Sequence, residues 1–296
     1  MKIVNLCRRD YANFAYDITM AMKSVGLNVS GYKTLKHTFG YDKQLRILSE
    51  EKQKERIEDA DIIQVFHSDV KCYRVARIVN PRARFIMYHT GSLYRQNAER
   101  INDQVPNIEI VCALGELMTL GCNRPKYIVG AINTDNYKPR LPNKIFGHFP
   151  SDEETKGTVK IKRMLLKHNV EFMYSPDKLN HEDHLKRMEK CGVIIELFNK
   201  LQSGKPYGSF GITALEAAAM GKIVITQNFT DDVYRKYYGD HPLLLANSAK
   251  QFHKYIYYIS SLNYGELIDL SEATRKWMEE KHSYKATGNY IMKNIL

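Results

Sequence analysis

The sequence predicts an α/β protein made of two Rossmann-like, doubly wound halves, each built on a parallel sheet. Three observations carry this. Short apolar runs alternate with stretches of helical spacing along nearly the whole chain, the pattern of repeated βα units with right-handed crossovers. The alternation stops at residues 136–143, where Pro139 and Pro142 break any continuing element, and then restarts. A length of 296 residues suits two domains of about 140 each better than one.

In the first half, residues 2–7 read as an apolar strand, and residues 13–25 carry helical spacing before Gly26, well placed as a helix stop. Residues 28–32 resume as a strand. A charged helical stretch at 50–59 is followed by apolar strands at 62–66, 84–88, 109–113 and 126–129. Beyond the prolines, strands are expected at 144–149, 170–174, 193–197, 223–226 and 243–245. The expected domains are residues 1–139, 140–275 and a C-terminal helix at 276–296 that packs back on the first domain, with a cleft between the strand ends of the two halves. Residues 156–168 form an amphipathic basic helix, and in 248–262 Ser248 caps a helix whose apolar face is Phe252, Ile256, Ile259 and Leu262.

Composition and charge bound the function classes. The five cysteines are scattered with no C-x-x-C, which argues against a disulfide framework or zinc knuckle and favours a reducing compartment. The apolar start is too short for a signal peptide, and no run approaches the roughly 20 apolar residues of a membrane span. A cytoplasmic protein, peripheral at most to a membrane, is expected. The formal charge of +11 is explained either by lysines spread over solvated faces or by steering toward sugar nucleotides, an anionic membrane surface or nucleic acid.

The richest stretch is 203–226, a glycine-containing turn that feeds an alanine-rich helix at 214–220, which Gly221 closes before an apolar strand. Gly208 and Gly211 let the backbone approach a ligand closely, and the helix start presents unpaired N–H groups to an anion. Glu216 is the one acid in this apolar helix. An unpartnered buried carboxylate is costly, so a polar group should meet it, and a ribose diol is suited to do so.

This stretch resembles the nucleotide-binding signature of GT-B glycosyltransferases, especially the retaining enzymes of glycosyltransferase family 4. Other segments are similar to that family in the same order: residues 60–69, residues 84–92 ending in His89 and a glycine loop, residues 128–139, and residues 147–158 with a lysine-glycine turn. The resemblance implies a hexosyltransferase-like enzyme that moves a sugar from a nucleotide diphosphate sugar to a glycan or lipid acceptor, with retention, no bound metal and no cofactor beyond that co-substrate. It implies that Glu216 meets the ribose hydroxyls. The turn at Gly208, Phe210 and Gly211 and the following amides of Ile212 and Thr213 would face the diphosphate. Lys156 would offset phosphate charge, and His89 would reach across the cleft toward the donor sugar.

The chain also departs from that pattern. Where the family commonly has a second glutamate, eight positions before Glu216, this chain has Gly208, with Glu196 as a candidate substitute. Where many members have an arginine it has His148, so His148, Ser151 and Lys156, with Gly157 and Thr158, read as a variant phosphate site. An alternative from another class is a nucleic-acid-associated protein of the same fold, either a DNA-modifying sugar transferase or an inactive binding module; a sugar-nucleotide epimerase is a third. Two weaker signals are set aside. Asp59 and Asp61 have the spacing of a metal-binding D-x-D, but Asp59 reads as the end of a helix. His181 and His184 could hold a metal, yet Asn180 as cap with Glu182 and Asp183 in the first turn reads as a solvated helix start.

Overall fold

The apolar runs become strands, and most of the amphipathic stretches between them become helices. A computed structural model describes residues 1–296 except Thr38. It divides into two units, Met1–Ala131 with His282–Leu296, and Ile132–Lys281.

The first unit holds strands β1 (Ile3–Cys7), β2 (Val29–Lys33), β3 (Arg46–Ile47), β4 (Ile62–Val65), β5 (Arg84–His89), β6 (Glu109–Cys112) and β7 (Lys126–Tyr127). They form one sheet in the order β3-β2-β1-β4-β5-β6-β7, with every pairing parallel. The chain winds away from the middle in both directions, so the order reverses between β1 and β4. Central strands β1 and β4 are buried along their whole length, as a parallel sheet covered on both faces requires. The crossovers are α1 (Phe14–Ser24), α2 (Glu50–Ile57), α3 (Val70–Val79) and α4 (Gly91–Gln104). Ser49 caps α2 and Asp69 caps α3, each accepting a backbone N–H three residues on. Gly26 follows α1 in the left-handed region, as expected of a helix stop. Asp59 lies in the turn after α2 and pairs with Lys2, while Asp61 accepts the Lys2 amide.

The second unit holds β8 (Phe146–His148), β9 (Phe172–Tyr174), β10 (Val193–Ile195), β11 (Leu201–Gln202), β12 (Lys205–Pro206), β13 (Ile223–Thr226) and β14 (Leu244–Leu245). Five of them form a parallel sheet, β14-β13-β10-β8-β9, whose order reverses between β8 and β10. Its helices are α5 (Glu153–Lys156), α6 (Thr158–Leu165), α7 (His181–Glu189), α8 (Ile212–Ala219), α9 (Asp231–Tyr238), α10 (Ala249–Ser261) and α11 (Tyr264–Lys281). The face foreseen for α10 is buried, and Ser248 caps it. Strands β11 and β12 form a hairpin that the sequence reading missed. Its turn residues, Ser203 and Gly204, both have positive φ, which matches the twist of a two-residue hairpin. Arg275 of α11 donates to the carbonyls of Thr134 and Tyr137 and to that of Ala219 at the end of α8. A cation thus sits at the negative end of α8 and fixes the loop at 134–137 beside it.

The last helix, α12 (Tyr284–Asn294), belongs to the first unit and packs on α1. Tyr284 donates to Asp17 at 2.6 Å, and Arg84 of β5 reaches the carbonyl of Leu296 at 2.8 Å. The helices approach closely at Gly288, where a Cβ would overlap the Ala21 carbonyl and lie 2.8 and 3.0 Å from the methyls of Val25. No helix among the described residues is long and apolar enough to cross a membrane. The close approach gives a direct test. Gly288→Ala is expected to push α12 off α1 and destabilise the protein by about 1–3 kcal/mol in denaturant unfolding, whereas an unchanged midpoint would mean that the interface yields without cost.

Candidate functional site

The reversal point of the second sheet gathers the polar residues of this unit at the carboxyl ends of β8, β10 and β13, where open α/β sheets bind ligands. After β8 the chain makes one turn of helix, α5, which Asp152 caps by accepting the Thr155 N–H at 2.7 Å. Gly157 then turns the chain with φ of 74°, where a Cβ would overlap the Phe198 carbonyl. This turn points Lys156 at the end of β10. Its Nζ lies 2.6 Å from Glu196 Oε1, and Glu196 Oε2 accepts from Thr226 Oγ1 at 2.6 Å. Burial alone would push the Lys156 ammonium down, but the Glu196 carboxylate and the Tyr207 hydroxyl outweigh it and hold the group above its ordinary value. Lys156 is therefore a fixed cation.

The glycine turn closes over this pair. Gly211 caps α8, and a Cβ there would overlap Glu196 Oε1 and lie 3.6 Å from Lys156 Nζ. Only a residue without a side chain lets the start of α8 lie this near the ion pair. Like any helix start, it leaves the amides of Ile212 and Thr213 without intrahelical acceptors. Gly208 has φ of 148°, a conformation that L side chains rarely adopt. A glutamate at this position would be strained in that backbone. Glu196, the candidate substitute, is committed to Lys156 and Thr226.

Glu216 projects from α8 and is 4% exposed. Its Oε1 lies 2.5 Å from His181 Nε2 and accepts from the Tyr137 hydroxyl at 3.3 Å. Here the sequence reading needs correction: Asn180 does cap α7, but His181 is turned onto Glu216 and not toward solvent. His184, one turn on, packs edge-on against Phe149, and burial pushes its ring down to about 4. The histidine pair therefore separates, with one ring on the candidate carboxylate and the other in the packing beneath.

Several predicted site residues turn out to be scaffold. His148 is fully buried, with Nδ1 2.7 Å from the Ile195 carbonyl and Nε2 2.9 Å from Thr158 Oγ1. Burial pushes its ring down to about 4, so it is neutral. A carbonyl only accepts, so Nδ1 carries the proton and Nε2 accepts from Thr158. Both nitrogens, and the Thr158 hydroxyl, are spent on tying β8 to β10 and α6. Neither residue presents the group a phosphate site would use, which corrects the reading of His148 and Thr158 as phosphate ligands. Ser151 is exposed at the head of the α5 turn. The Phe210 ring is buried against Tyr234, His241 and Trp277, so only its backbone belongs to the turn.

His89 lies in the first unit and is fully buried. Its Nδ1 is 2.9 Å from Ser68 Oγ, its ring stacks on Tyr94 at 3.7 Å, and burial pushes it down to about 3. The ring has no exposed surface, and its Nε2 has no hydrogen-bond partner among the described residues. At the first sheet's own reversal point, Cys7, Asp10 and His67 place ligand-type atoms within 4.8 Å of one another, the one such group among the described residues. Of these, the atoms of Asp10 and His67 already have partners. The Asp10 oxygens accept the Ala15 and Tyr16 amides of α1 at 2.8 and 2.9 Å, and His67 bridges Asp10 and Thr90.

No protein-family model matches the chain, and no curated protein matches it in sequence. Solved structures resemble it in fold. HepE of Anabaena, solved with UDP and glucose, matches over 99% of this chain and 98% of its own, with a TM-score of 0.70 and 11% identity. The lipopolysaccharide outer core galactosyltransferase WaaB matches over 99% of both chains, with a TM-score of 0.63 and 12% identity. The trehalose-6-phosphate synthase OtsA matches over 99% and 98%, with a TM-score of 0.64 and 9% identity. At such identities the likeness is one of fold, and the fold is GT-B: two Rossmann-like α/β units in one chain.

Two predictions follow from the buried groups. Removing the carboxylate with Glu196→Ala strands the Lys156 ammonium and should cost about 3 kcal/mol in denaturant unfolding; a loss no greater than that of an exposed substitution would mean the pair is not buried in solution. For His148, the folded value near 4 lies below the ordinary 6.5, so the unfolded chain takes the proton first as pH falls. The stability held by the neutral ring is full above about pH 6.5 and is lost toward pH 4, by up to about 3 kcal/mol. His148→Gln should flatten that part of the stability profile, and identical slopes for the two proteins would assign the loss to other groups.

Proposed function

We propose that the chain is a glycosyltransferase that takes its sugar from a nucleotide diphosphate sugar, with the donor bound by the second unit. The observation that carries this reading is the convergence of Lys156, the open start of α8 and Glu216 at the reversal point of one parallel sheet. A fixed cation and a helix N-terminus together suit a diphosphate. A carboxylate one helical turn further along suits the ribose next to it. HepE, alike in fold, has been solved with UDP and with UDP-glucose, which supports the same donor chemistry here.

In this reading Glu216 accepts hydrogen bonds from the ribose hydroxyls, and His181 and Tyr137 hold its carboxylate in place. An ammonium has three N–H donors, and those that Lys156 does not spend on Glu196 and Tyr207 are directed to the diphosphate. The amides of Ile212 and Thr213 serve the same anion, the Ser151 hydroxyl is an added donor, and Gly157 sets the turn. As the bond from the sugar's anomeric carbon to the diphosphate breaks, charge grows on the leaving oxygen, and groups already aimed at it lower the barrier. We propose transfer with retention and without a bound metal. The new bond forms to an acceptor hydroxyl of a glycan or lipid, whose proton passes to the departing diphosphate. His89 has no part in this scheme.

Thermal unfolding with a panel of nucleoside diphosphates and their sugars tests the proposal. At a ligand concentration of about 100 times Kd, stability should rise by about 2.7 kcal/mol, visible as a higher Tm. Glu216→Gln should weaken that ligand at least about tenfold while the free protein keeps its fold. A panel with no shift, or a variant that binds as well as the native chain, would overturn the proposal.

A further inference from the structure

Helices α6 and α10 pack together in the second unit and are tied by the rings of His168 and His253, whose nitrogens are 2.8 Å apart. Their inner faces are apolar: Ile161, Met164 and Leu165 of α6 and Phe252, Ile256 and Ile259 of α10 are buried in the core of this unit. The outer faces combine two features. Residues 158–170 and 248–263 contain no Asp or Glu, and Lys160, Lys162, Arg163, Lys167, Lys250 and Lys254 all stand exposed on them. None of these six cations pairs with a carboxylate among the described residues; Lys160 donates to Asn199 and the Lys162 ammonium lies over the Tyr174 ring. Large apolar side chains stand among them, with Val159 67%, Leu166 86% and Tyr257 73% exposed. Val159, Arg163 and Leu166 follow one another at helical spacing, so cation and apolar groups share one stripe.

We infer that this face docks the protein on an anionic membrane surface. Each Lys or Arg held at such a surface strengthens binding about fivefold. Leucine and valine side chains gain by entering the headgroup boundary, while the stems of flanking Lys and Arg lie along them and keep their charges at the interface. Tyrosine suits the same boundary, apolar along the ring and polar at its tip. A nucleic acid would engage the cations but leave Leu166 and Val159 in water, because its phosphates offer them nothing. The inference draws on none of the residues assigned to the donor, so it stands or falls apart from the proposed reaction.

Cosedimentation of the whole chain with phosphatidylcholine vesicles, with and without phosphatidylglycerol, tests it. The native chain should pellet with the anionic vesicles and not with the neutral ones, and less as salt is raised. The triple variant Arg163→Glu, Lys167→Glu, Lys254→Glu should bind at least about 100-fold more weakly. The pair Leu166→Ser and Tyr257→Ser should bind about tenfold more weakly with its salt dependence kept. Both variants should retain the native Tm, since every changed side chain is on the outer face. Failure of the native chain to pellet with anionic vesicles, or native-like vesicle binding by either variant, overturns the inference. So does duplex DNA binding that the charge reversal abolishes and the Ser variant leaves intact, because that outcome assigns the face to nucleic acid.

Discussion

The second unit is organised around one buried ion pair, Lys156 with Glu196. Taking both ions out of water costs several kcal/mol each, and their attraction offsets this only where hydrogen bonds satisfy what remains. Thr226 supplies that bond to Glu196, and Tyr207 supports Lys156. Lys156 ends α5 in the connection after β8, while Glu196 follows β10 and Thr226 ends β13, so the pair ties that connection to two strand ends. The glycines follow from it. Gly211 has no side chain because Glu196 occupies that space, and Gly157 turns the chain so that Lys156 can reach its partner. The start of α8 is thereby set beside a permanent positive charge.

The two units treat the same topological position differently. At the reversal point of the first sheet a carboxylate of the chain itself, Asp10, already takes the first amides of α1. Around it Ala12, Asn13, His67 and Ser68 all adopt positive φ without being glycine, a costly conformation. At the reversal point of the second sheet the helix start carries no side-chain cap, and the residue in the cap position is Gly211. One site carries its anion within the sequence. The other leaves its helix start without a side-chain cap.

Much of the fold was legible in the sequence because its cause is local. Alternating apolar runs and helical spacing mark strands and helices wherever a parallel sheet is covered on both faces, and β1, β4, β5 and β13 lie close to where those runs place them. The strands missed, β3 and the β11–β12 hairpin, are short and largely exposed. They have no buried face to leave a pattern. The turn, helix and glycine closure at 203–226 were legible for the same local reason, as was the need of Glu216 for a polar partner.

The identity of those partners was not legible, because partners are set by which distant strands lie side by side. His148 reads as a phosphate ligand until β8 is paired with β10, which spends both of its nitrogens. His181 reads as solvated until α7 folds against α8. His89 reads as a reaching catalytic group until Tyr94 of α4 stacks on its ring and Ser68 meets its Nδ1. The sequence by itself determined the α/β class, the two-unit organisation and the glycine turn before α8, since backbone period and glycine geometry are short-range properties. Only the tertiary structure decided which polar side chains face one another, because burial prices each of them by neighbours 35 to 40 residues away, as Glu216 with His181 and Lys156 with Glu196 illustrate.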